Sequence, residues 1–262
     1  MKPGSIQKTG FVSLVGAGPG SPDYLTLKGF RRLQEAEVIL YDALIDDAFL
    51  EYFPADSIQI FAGKRKGLHS KTQDEIHQYM KHFWEEGKRI VRLKGVDAFL
   101  FGRGAEEVIF LRKNGIPYEV IPGVSSMQAA SALCEIPLTH RGISREVLIL
   151  GGSSLQNFDF QILEKFSGTI VFFMGSEVVS EFCELLIQSG KNILTPIALL
   201  ERVSFPDQAI TIGRIQDFAS GDLRKSTAGP GIIIVGEVVN VLKNESPATI
   251  VNFTSNFGIR NI

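Results

Sequence analysis

The stretch Phe11-Val-Ser-Leu-Val-Gly-Ala-Gly-Pro-Gly-Ser-Pro-Asp23 decides the fold prediction, because an apolar run ends abruptly in glycines and prolines. This pattern predicts a buried first strand that leads into a tight loop. Gly16, Gly18 and Gly20 allow left-handed backbone angles and let a ligand come close to the chain. The loop is therefore expected to form part of a binding site.

The same loop is close to the dinucleotide-binding fingerprint G-x-G-x-x-G, and Asp42 follows the next strand at about the expected distance of ~20 residues. Two details argue against a dinucleotide. The third glycine comes one position early, at Gly20, and Pro19 lacks the backbone N–H that a phosphate would need. On this stretch alone, the glycines could also serve only as a strand-to-helix turn.

Strand and helix patterns alternate along the first half of the chain, with further strands expected at 38–42, 57–61, 89–93 and 118–121. Such alternation predicts a parallel sheet with helices on both faces and ligands at the carboxyl ends of the strands. Thr26 is expected to cap the first helix, with the apolar positions Leu27, Phe30 and Leu33 on one face.

The second half has a different pattern. Strands are expected at 147–150, 169–173, 196–200, 208–212 and 232–235, with one clear helix at 176–189, which indicates a mixed sheet. A polar, proline-bearing connector at 138–144 separates the halves. The sequence therefore predicts an N-terminal α/β domain at 11–137, a C-terminal α/β domain at 145–243, and tails at 1–10 and 244–262.

The composition excludes several classes of partner. The chain has 262 residues, is 44% hydrophobic and carries a net charge of -2, which gives no global attraction to nucleic acid or to anionic membranes. No signal peptide or membrane-spanning run is evident, so a cytoplasmic location is expected. Cys134 and Cys183 are expected to be free thiols, and the spacing of the histidines predicts no metal site.

Short motifs recur along the chain that are weak singly but specific in this order and spacing. They are Val15-Gly-Ala-Gly-Pro-Gly20, Tyr41-Asp42, Gly63-Lys-Arg65, Val91-Arg-Leu-Lys-Gly95, Phe101-Gly-Arg-Gly104, Glu106-Glu107, Ile121-Pro-Gly123, Ile136-Pro-Leu-Thr-His-Arg141, Met174-Gly175 and Val235-Gly-Glu-Val238. In these motifs the chain resembles the tetrapyrrole methylase family over nearly its whole length. The Gly-Lys-Arg and Phe-Gly-Arg-Gly motifs favour the branch that methylates uroporphyrinogen III.

This resemblance implies a two-domain fold, with an N-terminal parallel αβα sheet, a C-terminal mixed sheet and a site in the cleft between the domains. It also implies a homodimer that uses S-adenosylmethionine to methylate uroporphyrinogen III, through precorrin-1 to precorrin-2, for sirohaem or cobalamin. The residues that it assigns to the methyl donor are Pro19, Gly95, Val96, Asp97, Leu100, Ser125, Ser126, Met174 and Val203. Among them, Asp97 is the side chain expected to accept hydrogen bonds from the methyl donor.

The resemblance also assigns residues to catalysis and to binding of the methyl acceptor. Asp42 is expected to act as general base and Lys64 as proton donor, while Arg103, Glu106 and Arg141 contact the substrate. Plainer interpretations stay open, because Asp42 could be a strand-end acid and Lys64 a solvated lysine. Arg103 could equally be a surface arginine paired with a helix glutamate such as Glu107.

The chain departs from the family pattern in the loop after the fourth strand. Val96 replaces a usual glycine and Ala98 a usual proline, and we expect Val96 to take a negative φ with a rearranged loop. Two other functions therefore stay open, namely a methylase of the same fold with another acceptor and a relative that binds donor or tetrapyrrole without turnover. A Rossmann-type reductase is disfavoured by Pro19 and by the second half of the chain.

Overall fold

A computed structural model describes residues 10–63, 71–152, 154–227 and 229–241. The chain divides into two compact units, Met1–Ala129 and Ala130–Ile262. The division falls inside one helix, Ser126–Leu133, and the domain limits expected at 137 and 145 stay predictions. Of the expected tails, 1–10 and 244–262, only Gly10 is among the described residues.

The first unit contains a parallel sheet of five strands, as predicted. The strands are β1 (Phe11–Gly16), β2 (Val38–Tyr41), β3 (Ile58–Phe61), β4 (Arg89–Lys94) and β5 (Tyr118–Ile121). Their order is β3-β2-β4-β1-β5, which places β4 between β2 and β1. Because all five run the same way, the loops that follow β1, β2, β4 and β5 lie side by side at one edge of the sheet.

Helices cover both faces of this sheet. They are α1 (Leu27–Gln34), α2 (Gln73–Glu85), α3 (Gly104–Lys113) and α4 (Ser126–Leu133), with 3₁₀ turns at Pro22–Tyr24 and Asp47–Tyr52. Neighbouring residues of a strand point to opposite faces, so Leu14 and Val15 belong to separate hydrophobic clusters. The expected two-faced packing is confirmed.

Helix α1 begins where the sequence predicts but buries a different face. The Gly29 N–H donates to Thr26 Oγ1 at 3.1 Å, as expected of the cap, and Leu33 is fully buried. However, Leu27 is 76% exposed and Phe30 is 39% exposed, so the predicted apolar face is not the face that packs on the sheet. The reason is Gly29, where a Cβ would lie 3.0 Å from Val15 Cγ1, which brings the helix backbone itself against β1.

The second unit contains the expected mixed sheet. Its strands are β6 (Val147–Gly151), β7 (Thr169–Phe173), β8 (Pro196–Glu201), β9 (Ala209–Arg214) and β10 (Gly231–Val235), in the order β6-β7-β10-β8-β9. The β6–β7 pair is parallel, and the other pairs are antiparallel.

The helices of the second unit are α5 (Ser154–Asn157), α6 (Val179–Gln188) and α7 (Ile215–Ala219), with 3₁₀ turns at Phe160–Leu163, Ser176–Val178 and Glu237–Asn240. The rings of Phe172 and Phe182 stack with their centres 4.2 Å apart, which joins α6 to the sheet. Within the described part of the chain, no helix combines the length and the apolar character that crossing a membrane requires.

Candidate active site

The loops after β1, β4 and β5 pack backbone to backbone at the carboxyl edge of the first sheet. Val96 N–H donates to Gly18 O at 3.1 Å, and Gly18 N–H donates to Val96 O at 3.4 Å. A Cβ on Gly16 would lie 2.6 Å from Gly123 N. These glycines are therefore needed for contact between the loops themselves, which is a more immediate reason for them than the ligand approach expected from the sequence.

Val96 has a positive φ of 61°, so the expected negative φ is wrong. A β-branched residue is strongly disfavoured there, and its neighbours Phe101 and Arg103 also lie at positive φ, at 56° and 60°. The two hydrogen bonds with Gly18 hold Val96 in place. The loop thus keeps the backbone shape that glycine would give, and the cost is local strain.

The Asp97 carboxylate organises the same loop. Its Oδ1 accepts from Phe99 N and Leu100 N, both at 2.8 Å, and its Oδ2 accepts from Gly123 N at 3.4 Å. A carboxylate can accept about four hydrogen bonds, so some acceptor capacity is left. Asp97 is therefore a structural tie between two loops, and its contact with a donor molecule stays a prediction.

Asp42 connects the loop after β2 to the loop after β4. Its Oδ1 accepts from Leu44 N at 3.2 Å, and both carboxylate oxygens lie 3.2 Å from Gly95 N. Arg92 Nη2 lies 3.6 Å from Oδ2, and the side chain of Asp42 is 24% exposed. The structure thus fixes the predicted base directly against Gly95, one of the predicted donor residues.

The remaining predicted donor residues of the first unit lie on the same edge. Pro19 is buried in the loop after β1, and Leu100 is half-buried after β4. Ser125 is buried, and its carbonyl accepts from Ala129 N at 3.1 Å, while Ser126 begins α4.

Met174 and Val203 follow strands of the second unit. Met174 comes directly after β7, has φ 56° and is 61% exposed. Val203 is buried after β8, between Arg202 and Ser204, which have φ of 46° and 72°. As in the first unit, positive φ angles of residues other than glycine occur where strands end.

The two predicted acceptor-binding arginines differ in the contacts that they make with the described residues. Arg103 and Glu106 form a two-pronged ion pair, with Nε–Oε1 at 2.8 Å and Nη2–Oε2 at 2.6 Å. The pairing of Arg103 with a helix glutamate is thus observed, with Glu106 as the partner rather than Glu107. Arg141 is exposed in the second unit, and Lys64 lies outside the described residues.

A buried ion cluster behind Asp42 was not predicted. Glu107 is fully buried; its Oε1 accepts from Arg92 Nε at 3.0 Å and from Gln73 Nε2 at 3.2 Å. Lys94 Nζ lies 2.9 Å from Oε2, in a direction that forms an ion pair but no regular hydrogen bond. Arg92 also reaches Asp42, so the cluster connects the core of the unit to the site.

Burial and charge act against each other in this cluster. Burial by itself raises the pKa of Glu107, but Arg92 and Lys94 outweigh it and hold that pKa below its ordinary value. Burial lowers the pKa of Lys94, and the neighbouring Arg92 charge acts in the same direction. Burial likewise lowers the pKa of His77, whose ring stacks on the ring of Phe110 with the two ring centres 4.4 Å apart.

The chemistry of the predicted donor set fits a sulfonium compound. In the first unit the set consists of backbone groups, two serines and the Asp97 carboxylate, with no cationic side chain to repel a positive sulfur.

The described residues contain no cluster of three or more His, Cys, Asp or Glu that could hold a metal. Cys134 and Cys183 are free thiols, and burial raises the pKa of each to about 12.

The strand order also bears on the class of protein. A dinucleotide-binding fold has the order 3-2-1-4-5-6, whereas here β4 separates β1 from β2. This order argues against the Rossmann-type reductase that the first glycine loop superficially suggests. The chain belongs to the tetrapyrrole (corrin/porphyrin) methylases, whose family model matches residues 12–219.

Named relatives agree with this family. The chain is 40% identical over 241 residues to the uroporphyrinogen-III C-methyltransferase of Methanocaldococcus jannaschii, covering 90% of this chain and 100% of that protein. It is 39% identical over 238 residues to the sirohaem synthase of Saccharophagus degradans, covering 90% of this chain but 52% of that protein. The chain thus spans about half the length of the sirohaem synthases that it matches.

Solved structures give the same result. The native uroporphyrin-III C-methyltransferase of Thermus thermophilus matches with a TM-score of 0.76 and 36% identity, covering 88% of this chain and 99% of that chain. A second structure of that protein, in complex with S-adenosylhomocysteine, matches equally well. The predicted fold class is confirmed.

Proposed function

We propose that this chain transfers methyl groups from S-adenosylmethionine to carbon atoms of uroporphyrinogen III, giving precorrin-2 through precorrin-1. The M. jannaschii relative carries this activity in its name and is covered over its full length. The crystallised T. thermophilus relative binds S-adenosylhomocysteine, which is the demethylated form of the donor. The homodimer, the cytoplasmic location and the choice between sirohaem and cobalamin stay predictions.

The donor side of the proposal rests on the loops after β1, β4 and β5. When bound, S-adenosylmethionine supplies an electrophilic methyl group on a positively charged sulfur. The loops supply a fixed framework, because Asp97 and the Gly18–Val96 hydrogen bonds hold their backbones together. A framework that needs little rearrangement aligns the methyl group with a carbon nucleophile at a small entropic cost.

The observation that carries the proposal is the position of Asp42. When a pyrrole carbon forms a bond to the methyl group and the C–S bond breaks, the ring becomes cationic, and neutrality returns only when a proton leaves. Asp42 is a partly exposed carboxylate fixed at 3.2 Å from Gly95 N, so a base lies next to the donor loop. A fixed base of this kind typically contributes 10²–10⁴-fold to the rate.

The acceptor carries eight carboxylates, and a chain of net charge -2 must meet them with local cations. Arg103, Glu106 and Arg141 are the proposed contacts. The planar fork of Arg103 is already oriented by Glu106, and an arginine fork matches carboxylate geometry better than a lysine does.

The test is methyl transfer from labelled S-adenosylmethionine to uroporphyrinogen III by wild-type protein and by Asp42→Asn. We expect wild-type turnover and a loss of about 100-fold or more in kcat for the variant. Binding of S-adenosylhomocysteine, measured by calorimetry, should change little. Asp46→Asn is the matched control, because Asp46 lies in the same loop and an asparagine can keep its hydrogen bond to Ala48 N.

The outcomes separate the remaining functions. Transfer to a different tetrapyrrole but not to uroporphyrinogen III would assign another acceptor. Binding of S-adenosylhomocysteine without transfer to any acceptor would indicate a relative that does not turn over. Equal kcat for wild type and Asp42→Asn would reject Asp42 as the base while leaving the methylase assignment in place.

A further inference from the structure

A cationic surface cavity lies at the start of the second sheet. It has a volume of about 430 Å³, and its lining residues are Thr139, His140, Arg141, Ser144 and Arg145. Both arginines are exposed, and every lining side chain carries a polar group that can donate a hydrogen bond. Of these residues, only Arg141 has a role in the proposed function.

The cavity is built on a rigid turn. His140 N–H donates to Ser144 O at 2.8 Å, and Ser144 N–H donates to His140 O at 3.0 Å, which closes the chain between them. Ser144 is buried, and its Oγ contacts Glu146 O at 3.1 Å and Thr169 Oγ1 at 2.9 Å, which ties the turn to β7. Arg141 lies inside this closed turn and Arg145 directly follows it, so the backbones of both residues are held in place.

The two arginines at this turn have no ion-pair partner among the described residues. Other arginines near the loops have acidic partners, as Arg103 has Glu106 and Arg202 has Asp207. Among the residues that the structure describes, neither Arg141 nor Arg145 forms an ion pair. Two like charges that line one cavity repel each other, and a bound anion relieves this repulsion.

We propose that Arg145 acts together with Arg141 to bind carboxylates of the acceptor, so that the cavity takes the neighbouring acidic side chains of one pyrrole ring. This inference rests on the proposed function and adds a specificity-determining residue to it. A guanidinium presents parallel N–H donors to a carboxylate, and two of them can hold two adjacent carboxylates. Thr139 and His140 supply further polar contacts at the cavity wall.

The test compares Arg145→Gln and Arg145→Lys with wild type and with Arg224→Gln. Arg224 is a suitable control because it is exposed in the same unit and its Nε donates a local hydrogen bond to the Gly221 carbonyl at 2.9 Å. We expect Arg145→Gln to raise KM for uroporphyrinogen III at least fivefold with kcat within twofold, since the contact is equal in ground and transition states. The KM of Arg145→Lys should lie between those of wild type and Arg145→Gln, and the KM of Arg224→Gln should equal that of wild type.

A second measurement does not depend on turnover. Uroporphyrin III, the oxidised and stable macrocycle with the same eight carboxylates, should bind at least fivefold more weakly to Arg145→Gln by fluorescence titration. Affinity and KM within twofold of wild type would overturn the inference and leave the methylase function intact. If uroporphyrin binds more weakly to Arg145→Gln than to wild type, but the wild-type chain transfers no methyl group, the carboxylate site is supported and the proposed function is rejected.

Discussion

Two buried carboxylates, one in each unit, are stabilised in opposite ways. Glu107 of the first unit is surrounded by the cations Arg92 and Lys94, whereas Glu201 of the second unit is surrounded by neutral donors. Both side chains are fully buried. The cost of burying a glutamate carboxylate is therefore offset by opposite charges in the first unit and by hydrogen bonds from neutral groups in the second.

The neutral compensation of Glu201 is complete within one short loop. Its Oε2 accepts from Ser226 N at 2.9 Å and Ser226 Oγ at 2.7 Å, and its Oε1 accepts from Thr227 N at 2.8 Å and Thr227 Oγ1 at 2.9 Å. Burial raises the pKa of Glu201, but these hydrogen bonds outweigh it and lower the pKa overall. The end of β8 is thereby held against the loop that precedes β10.

The difference teaches that loss of charge has unequal consequences in the two units. Removing the charge of Glu107 leaves two buried cations without their shared carboxylate partner, although Arg92 still lies 3.6 Å from Asp42. Removing the charge of Glu201 leaves no buried charge, since its partners are hydroxyls and amides. An uncompensated buried ion costs more than an imperfect hydrogen bond.

The largest effect is expected for Glu107→Gln. The free energy of unfolding should fall by about 3–5 kcal/mol, because breaking a buried ion pair leaves its partners unpaired. Urea denaturation at pH 7 measures this. Glu106→Gln, on the same helix but exposed, is the control and should leave the unfolding midpoint unchanged. If the two variants behave alike, the cluster does not have the energetic role that its burial suggests.

Acid should abolish the difference between wild type and Glu107→Gln. The pKa of Glu107 is held below its ordinary value of 4.5, so its contribution to stability is complete above 4.5 and is lost as the pH falls through the lower folded value. The gap between the two denaturation curves should therefore narrow below pH 4.5. A gap that stays constant into that range would show that Glu107 does not titrate as an ion-paired carboxylate.

A smaller effect is expected for Glu201→Gln. Its amide nitrogen would face N–H and O–H donors, and about 1–3 kcal/mol of stability should be lost through unsatisfied hydrogen bonds. Glu184→Gln, exposed on α6, is the matched control. A loss as large as that of Glu107→Gln would remove the distinction between the two kinds of compensation.

The smallest effect is expected for Val96→Gly, which tests strain rather than charge. Removing the strain of the left-handed conformation should raise the free energy of unfolding by on the order of 1–2 kcal/mol. The greater entropy of glycine in the unfolded chain should offset about 0.5–1 kcal/mol of this gain. A net stabilisation of between zero and about 1.5 kcal/mol is expected from urea denaturation. Met174→Gly, at a similar φ in the second unit, should gain less because methionine is not β-branched. A destabilised Val96→Gly would mean that the packing of the valine side chain outweighs its strain.

Part of the buried cluster could have been found in the sequence. Arg92 and Lys94 are two residues apart in a strand of a parallel sheet, so they point to the same buried face and require an acidic partner. Glu107 and Leu111 are four residues apart on α3, which places the glutamate on the inward face of that helix. The identity of the partner could not be derived, because strand order decides which helix covers β4.

The sequence by itself determined the two sheets, the helix starts and the set of loops at the strand ends, because these follow from periodicity and turn chemistry within a few residues. Only the tertiary structure decided that β4 lies between β2 and β1, that α1 buries Gly29 and Leu33 but leaves Leu27 exposed, and that Val96 has a positive φ. Each of these depends on contacts between segments far apart in the chain. The local preference of valine opposes the positive φ of Val96. The hydrogen bonds between Val96 and Gly18, together with the close packing of Gly16 on Gly123, hold the loop in this conformation and override that preference.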